Sequence, residues 1–214
     1  SHCGRNFSSQ TFSTTYWLKK PQIIAQLMTK VTGGMCNSQI ATDLQTSPAT
    51  IDRQIYRLGR HCQLFHLEMM KARPKLHEIV IDSFVTFEQS QYHPYHLHLA
   101  VDRDSAFIPY FTDSEVRRSG RMTAEQKAKR KEIERLRGRP DPQAVRKDVY
   151  ELLRVVSTGS RKMMVHSDDH KAYPLAMQGL ECHFRHIVTS SKRHRDRFNR
   201  LYEINLLDLL IRHA

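Results

Sequence analysis

Two stretches limit what this chain can become more than any others: HEIVIDSFVTFE at 77–88 and YHLHLAVD at 95–102. The first is rich in β-branched and aromatic residues and the second alternates apolar with polar, so both read as strands. FIPYFT follows after Arg103-Asp104-Ser105, and connections that short predict an antiparallel meander. Each of the first two runs carries an aspartate, Asp82 or Asp102.

Helix and strand patterns alternate beyond the meander. Cations crowd residues 114–147, with Glu125, Glu132 and Glu134 interleaved at helical distances. The spacing predicts a solvated, ion-paired helix over 123–137. A Gly-Arg-Pro-Asp-Pro turn at 138–142 precedes QAVRKDVYELLRVV, an amphipathic helix. A short strand, Met163 to His166, delivers Ser167-Asp168-Asp169, and FRHIVTSS gives one strand more. The basic loop KRHRDRFNR and the helix YEINLLDLLIRHA close the chain. The organisation is α/β.

Residues before the meander are helical. PQIIAQLMTKVTGG places apolar residues at 23, 24, 27, 28 and 31 and stops at a Gly pair. Asn37-Ser38 supplies a capping pair for SQIATDLQ, and Ser47-Pro48 opens ATIDRQIYRLGRHCQLFHLEMMK. Ile40, Leu44, Ile51 and Ile55 are spaced to pack between two short helices, with small Ala41 permitting close approach. That is the shape of a helix-turn-helix. Thr50, Asp52, Arg53, Gln54 and Arg57 then face outward, a set that a DNA major groove accepts. The turn uses Gln45-Thr46 where a glycine is usual. An ordinary helical hairpin is the alternative.

Charge points the same way. Lys and Arg outnumber Asp and Glu by 34 to 22, for a formal +12. Such a surplus attracts polyanions, of which nucleic acid is the commonest. No run approaches the length of a membrane span, and no signal-peptide pattern opens the chain. Cys3, Cys36, Cys62 and Cys182 are scattered, which suits a reducing cytosol. Cys3, in His-Cys-Gly-Arg, is either a lone thiol or the last ligand of a zinc ribbon lying before residue 1.

Any single aspartate at a strand end is ordinarily a turn residue, and Asp102, Asp104 and Asp113 are placed in that class. The joint placement of Asp82, Asp168 and an acid on the last helix is more specific. Hard divalent cations take carboxylate oxygens from distant segments, and a pair of them can drive in-line displacement at phosphorus. His96, His98, His166 and His170 are expected to be core or exposed residues rather than ligands.

Over nearly its whole length the chain resembles insertion-sequence transposases of the DDE type. The resemblance rests on HCGRNFSSQTF, RLGRHCQLFH, IDSFVTFEQSQYHP, GRPDPQAV, HSDDHKAYP and TSSKRHRDRFNRLYEINLLDLLIRH. It implies a ribonuclease-H-like mixed sheet at 77–214, the helix-turn-helix at 21–72, and the remnant of a zinc-ribbon-like segment at 1–20. It further implies metal-dependent cleavage of element ends and strand transfer into target DNA, using two Mg²⁺ or Mn²⁺ ions. Asp82 and Asp168 would be the first two catalytic, metal-binding acids, with Tyr173 completing an Asp-to-Tyr spacing. The third is Asp208, three residues after Asn205 and sharing a helix face with Arg212, or else Glu203, 35 positions after Asp168.

Lys192, Arg193, Arg195, Arg197 and Arg200 would clamp phosphates, unless they form an ordinary exposed loop. Double-stranded DNA is the implied partner, a homo-oligomer on DNA the implied assembly, and the cytoplasmic nucleoid the implied location. The family pattern continues past both termini, so a truncated chain is expected. The competing class is a non-catalytic DNA-binding protein, a repressor or a decayed transposase.

Overall fold

The computed structural model describes every residue except 1–3, 5, 7, 12, 73, 74, 89 and 214, and no side chain at 212 or 213. The expectation for Cys3 therefore lies outside the described residues, as does the side chain of Arg212. The chain divides into two compact units, residues 1–73 with 210–214, and residues 74–209.

In the first unit α1 (Ile23–Thr32), α2 (Asn37–Asp43) and α3 (Pro48–Ala72) bury Leu27, Ile40, Ala41, Ile51 and Leu58 together. α1 ends in a Schellman closure, with Met35 N–H bonded to Lys30 O, Gly34 N–H to Val31 O, and Gly34 at φ 76°. α2 ends the same way: Thr46 N–H reaches Ala41 O and Gln45 N–H reaches Thr42 O. Here the left-handed position is Gln45, at φ 49°. The closure explains why the turn calls for glycine, since a side chain there costs about 1–2 kcal/mol. One sequence expectation shifts. The cap of α2 is Cys36, whose N–H bonds Gln39 Oε1, while Asn37 is already helical and its side-chain amide donates to Asp52. Ser47 caps α3 as expected, its Oγ accepting from Thr50 N–H.

The second unit is built on one five-stranded sheet: β1 (Glu78–Phe87), β2 (Pro94–Asp102), β3 (Tyr110–Glu115), then β4 (Lys162–Ser167) and β5 (His183–Val188) after two helices. Strand order is β3-β2-β1-β4-β5, with β1 to β3 antiparallel and β1, β4 and β5 mutually parallel. This mixed order is the ribonuclease-H-like α/β fold. α4 (Ala124–Arg137) and α5 (Ala144–Val156) join β3 to β4, α6 (Ala172–Met177) joins β4 to β5, and α7 (Tyr202–His213) follows β5.

Pleating sends alternate side chains of β1 to opposite faces. Ile79 and Ile81 pack with Val149, Leu152, Leu153 and Val156 of α5 and with Tyr173 and Ala176 of α6. Val80 and Phe84 pack with Leu201 and Ile204 at the start of α7. The sheet is thus covered on both sides, as its parallel half requires. Among the described residues no helix is long and apolar enough to cross a membrane.

Candidate active site: three acids at one end of the sheet

Asp82 and Asp168 come from neighbouring parallel strands. The parallel pairing of β1 with β4 runs to Val80↔His166, and Asp82 and Asp168 each follow two residues beyond that pair, at the same end of the paired stretch. Asp82 shares the face of Val80 and Phe84, the one that α7 covers. Continuing the alternation of β4 beyond Ser167 turns Asp168 to that face too. Asp82 Oδ1 accepts from Ser83 N–H at 2.7 Å, and Asp168 Oδ1 accepts from His170 N–H at 3.0 Å.

The third acid arrives on α7. Leu201 and Ile204 face the sheet, and Asp208, one turn beyond Ile204, continues their stripe and is buried. Glu203 lies a quarter-turn round the helix from Ile204 and is half-buried.

All three acids act electrostatically on the hydroxyl of Tyr173. Burial pushes its phenol well above the ordinary range, and the charges of Asp82, Asp168 and Asp208 push it the same way, while the Ser83 hydrogen bond opposes them. All three carboxylates therefore lie within electrostatic reach of one oxygen.

Behind Tyr173 runs a buried hydrogen-bonded line that the sequence did not reveal. Ser114 Oγ on β3 donates to Asp148 Oδ2 on α5 at 2.7 Å. Its oxygen then accepts from His98 Nε2 on β2, also at 2.7 Å. Burial, with His96 and His170 adding, pushes the His98 pKa down to about 3, so the imidazole is neutral. Its proton being on Nε2, Nδ1 accepts from the Ser83 hydroxyl, and the Ser83 oxygen accepts from Tyr173, 3.0 Å away. A carboxylate can only accept, so Asp148 sets the direction of every bond in the line. Tyr173 is left with its proton turned toward Ser83 and its lone pairs free. His98, Ser114 and Asp148 are far apart in sequence, and only strand register brings them together.

The other histidines take structural positions. His166 Nε2 contacts Glu78 Oε1 at 2.6 Å in a cluster with Arg103. His166 is held below the usual imidazole range, chiefly by burial. Asp102 closes the β2–β3 turn by accepting from Ser105 N–H and its hydroxyl, as a turn acid should.

Oxygen-only carboxylates suit a hard divalent cation by chemistry. Among the described residues, however, no three His, Cys, Asp or Glu side chains stand close enough to form a ready cage. Ionised carboxylates repel one another, so drawing them tight requires the cation's own charge.

The residues expected to touch DNA are placed as follows. Arg53 is exposed, its Nε bonded to Ala49 O, and Thr50 and Gln54 are half-buried on the same helix. Arg57 is turned to the Tyr16 carbonyl at 2.6 Å. Lys192, Arg193 and Arg195 are exposed between β5 and α7.

No family model and no curated protein matches the chain. Among solved structures it is similar to a chain of the simian T-cell lymphotropic virus intasome in complex with PP2A regulatory subunit B56 gamma. The identity is 14% over 87% of this chain and 56% of that one, with a TM-score of 0.29. It is also similar to a variant of Ciona intestinalis endonuclease V in complex with inosine-containing DNA. There the identity is 12%, the coverage 76% and 69%, and the TM-score 0.25. The chain spans little more than half the length of the intasome chain.

Proposed function

We propose that this chain is a DNA transposase of the DDE type, which cuts the ends of an insertion element and joins them to target DNA. The observation that carries this reading is that Asp82, Asp168 and Asp208, on separate segments of the chain, all act electrostatically on the Tyr173 hydroxyl. Asp82, Asp168 and Asp208 would hold two Mg²⁺ or Mn²⁺ ions, whose chemistry is to activate an attacking oxygen and neutralise the leaving one. Asp208 is favoured over Glu203 as the third acid, because it extends the sheet-facing stripe of α7.

The protein's own groups supply position. Tyr173, its donor committed to Ser83, has no proton left to compete for the carboxylates. Lys192, Arg193 and Arg195, exposed after β5, would hold backbone phosphates. Arg53, Thr50 and Gln54 on α3 would read the element end, and the family's habit of acting as multimers implies a homo-oligomer on DNA. A cytoplasmic, nucleoid-associated location follows from that activity.

The test pairs Mn²⁺ titration by calorimetry with a nicking assay. Wild-type protein should bind Mn²⁺ and nick duplex DNA, while Asp82→Asn and Asp168→Asn should lose both and keep duplex binding. DNA binding without any Mn²⁺ site in the wild type would leave only the non-catalytic reading. Arg53→Ala should weaken end binding while leaving the Mn²⁺ isotherm unchanged.

A further inference from the structure

α4 is an ordered helix with no buried residue. Ordinarily a helix of this length is stabilised by an apolar face against a core. This one is capped by Thr123, whose Oγ1 accepts from Gln126 N–H while Gln126 Oε1 accepts from Thr123 N–H. It is fastened by cations. Arg117 grips Glu134 with two bonds of 2.6 and 3.0 Å, and Arg130 donates to Arg118 O. Tyr92, in the β1–β2 turn, contacts the Arg118 guanidinium at 4.8 Å and the Lys129 ammonium at 5.0 Å.

This sorts the charge of the segment. Residues 116–139 hold ten cations and three acids. Arg117, Arg118, Lys129 and Arg130 are used for anchorage, and Glu134 is the one acid of α4 in an ion pair among the described residues. Lys127, Lys131 and Arg135 are exposed and have no ion-pair partner among the described residues. They stand at i, i+4 and i+8, about 6 Å apart along the axis, and form one stripe. Glu125 lies farther round the helix, and Glu132, at i,i+3 from Arg135, forms no ion pair with it among the described residues. The ion-paired helix expected from sequence is therefore paired only where it is fastened.

Placement gives the stripe a use. The β1–β2 turn that holds α4 lies beyond the end of β1, and Asp82 and Asp168 lie toward that same end of the sheet. We infer that Lys127, Lys131 and Arg135 form a second nucleic-acid surface, gripping the phosphate backbone of duplex DNA as it enters the acidic site. The inference rests on the DNA-processing reading above. Its chemistry is sequence-independent, because ammonium and guanidinium groups at a phosphate carry no base information.

The experiment uses the full chain carrying Lys127→Gln, Lys131→Gln and Arg135→Gln together, and a fluorescent duplex of arbitrary sequence across a series of salt concentrations. The three side chains are exposed, so the melting temperature should stay at the wild-type value. Binding should weaken, and the slope of log affinity against log salt should become shallower by about 2.7, the value for three phosphates at roughly 0.9 each. Wild-type binding with an unchanged slope and affinity in the triple variant would overturn the stripe and leave the transposase reading intact. Failure of wild-type protein to bind any duplex would overturn both. Stronger competition by a single-stranded RNA than by duplex DNA would also overturn the assignment.

Discussion

Ser83 and His98 face each other across the β1–β2 ladder, hydroxyl to imidazole, in the middle of the line that joins Asp148 to Tyr173. The pair ties pH to stability. His98 is pushed down to about 3 in the fold from an ordinary 6.5, so the unfolded chain takes up a proton between those values and the folded chain does not. Stability should be full above pH 6.5 and fall below it, by roughly 1.4 kcal/mol per pH unit for this one group. Urea melts from pH 6.5 down to about 5 should show the fall, and His98→Gln should reduce the proton uptake on unfolding by about one. An unchanged uptake would mean His98 is not buried in neutral form.

The two ends of that line should separate by readout. Ser114→Ala strands the His98 Nε2 proton in the interior, costing about 1–3 kcal/mol of stability. Tyr173→Phe removes only the last bond, about 1 kcal/mol, but it takes away the one hydroxyl on which all three acids act. Calorimetric Mn²⁺ affinity should therefore fall a few-fold in Tyr173→Phe and stay near wild type in Ser114→Ala. Equal Mn²⁺ affinity in Tyr173→Phe and wild type would reduce Tyr173 to a packing residue.

The third acid can be decided by substitution. Asp208→Asn should lower nicking on the order of a thousandfold, a barrier increase of about 4 kcal/mol, while Glu203→Gln stays within a few-fold. The reverse ranking would transfer the role to Glu203.

Gln45→Gly should stabilise the three-helix unit. Relief of the left-handed side chain contributes about 1–2 kcal/mol, and the freer unfolded chain offsets about 0.4–1 kcal/mol. A net gain near 1 kcal/mol would raise the melting temperature of that unit, and a loss would mean the Gln45 side chain makes a compensating contact.

Much of this architecture was legible in the residues because its signals are local. The alternation of YHLHLAVD, the 3.6-residue spacing of Val149, Leu152, Leu153 and Val156, and the Ser47-Pro48 start each depend on a few neighbours. The resemblance supplied the ribonuclease-H-like fold, and the strand order agrees with it. Hidden from sequence were relationships set by register. His98 reads as a core histidine until Ser83, Ser114 and Asp148 are brought beside it. Cys36 caps α2 although Asn37 and Ser38 beside it are stronger formers of that motif. The helical spacing points Arg57 outward, whereas the Tyr16 carbonyl, 41 residues back, holds it. The division of the α4 cations into fastened and free depends on Tyr92, whose position against the helix no spacing announces.

The mixed sheet has a consequence for the order of assembly. β1, β2 and β3 are joined by short turns and can pair as soon as they are made. β4 must wait for α5 to cross the sheet, and α7 comes after every strand. Long-range parallel pairing of this kind is the slow part of folding. Asp82 is therefore in place early, but its two companions reach it only when the last segments dock. A chain caught halfway would hold one carboxylate of the three.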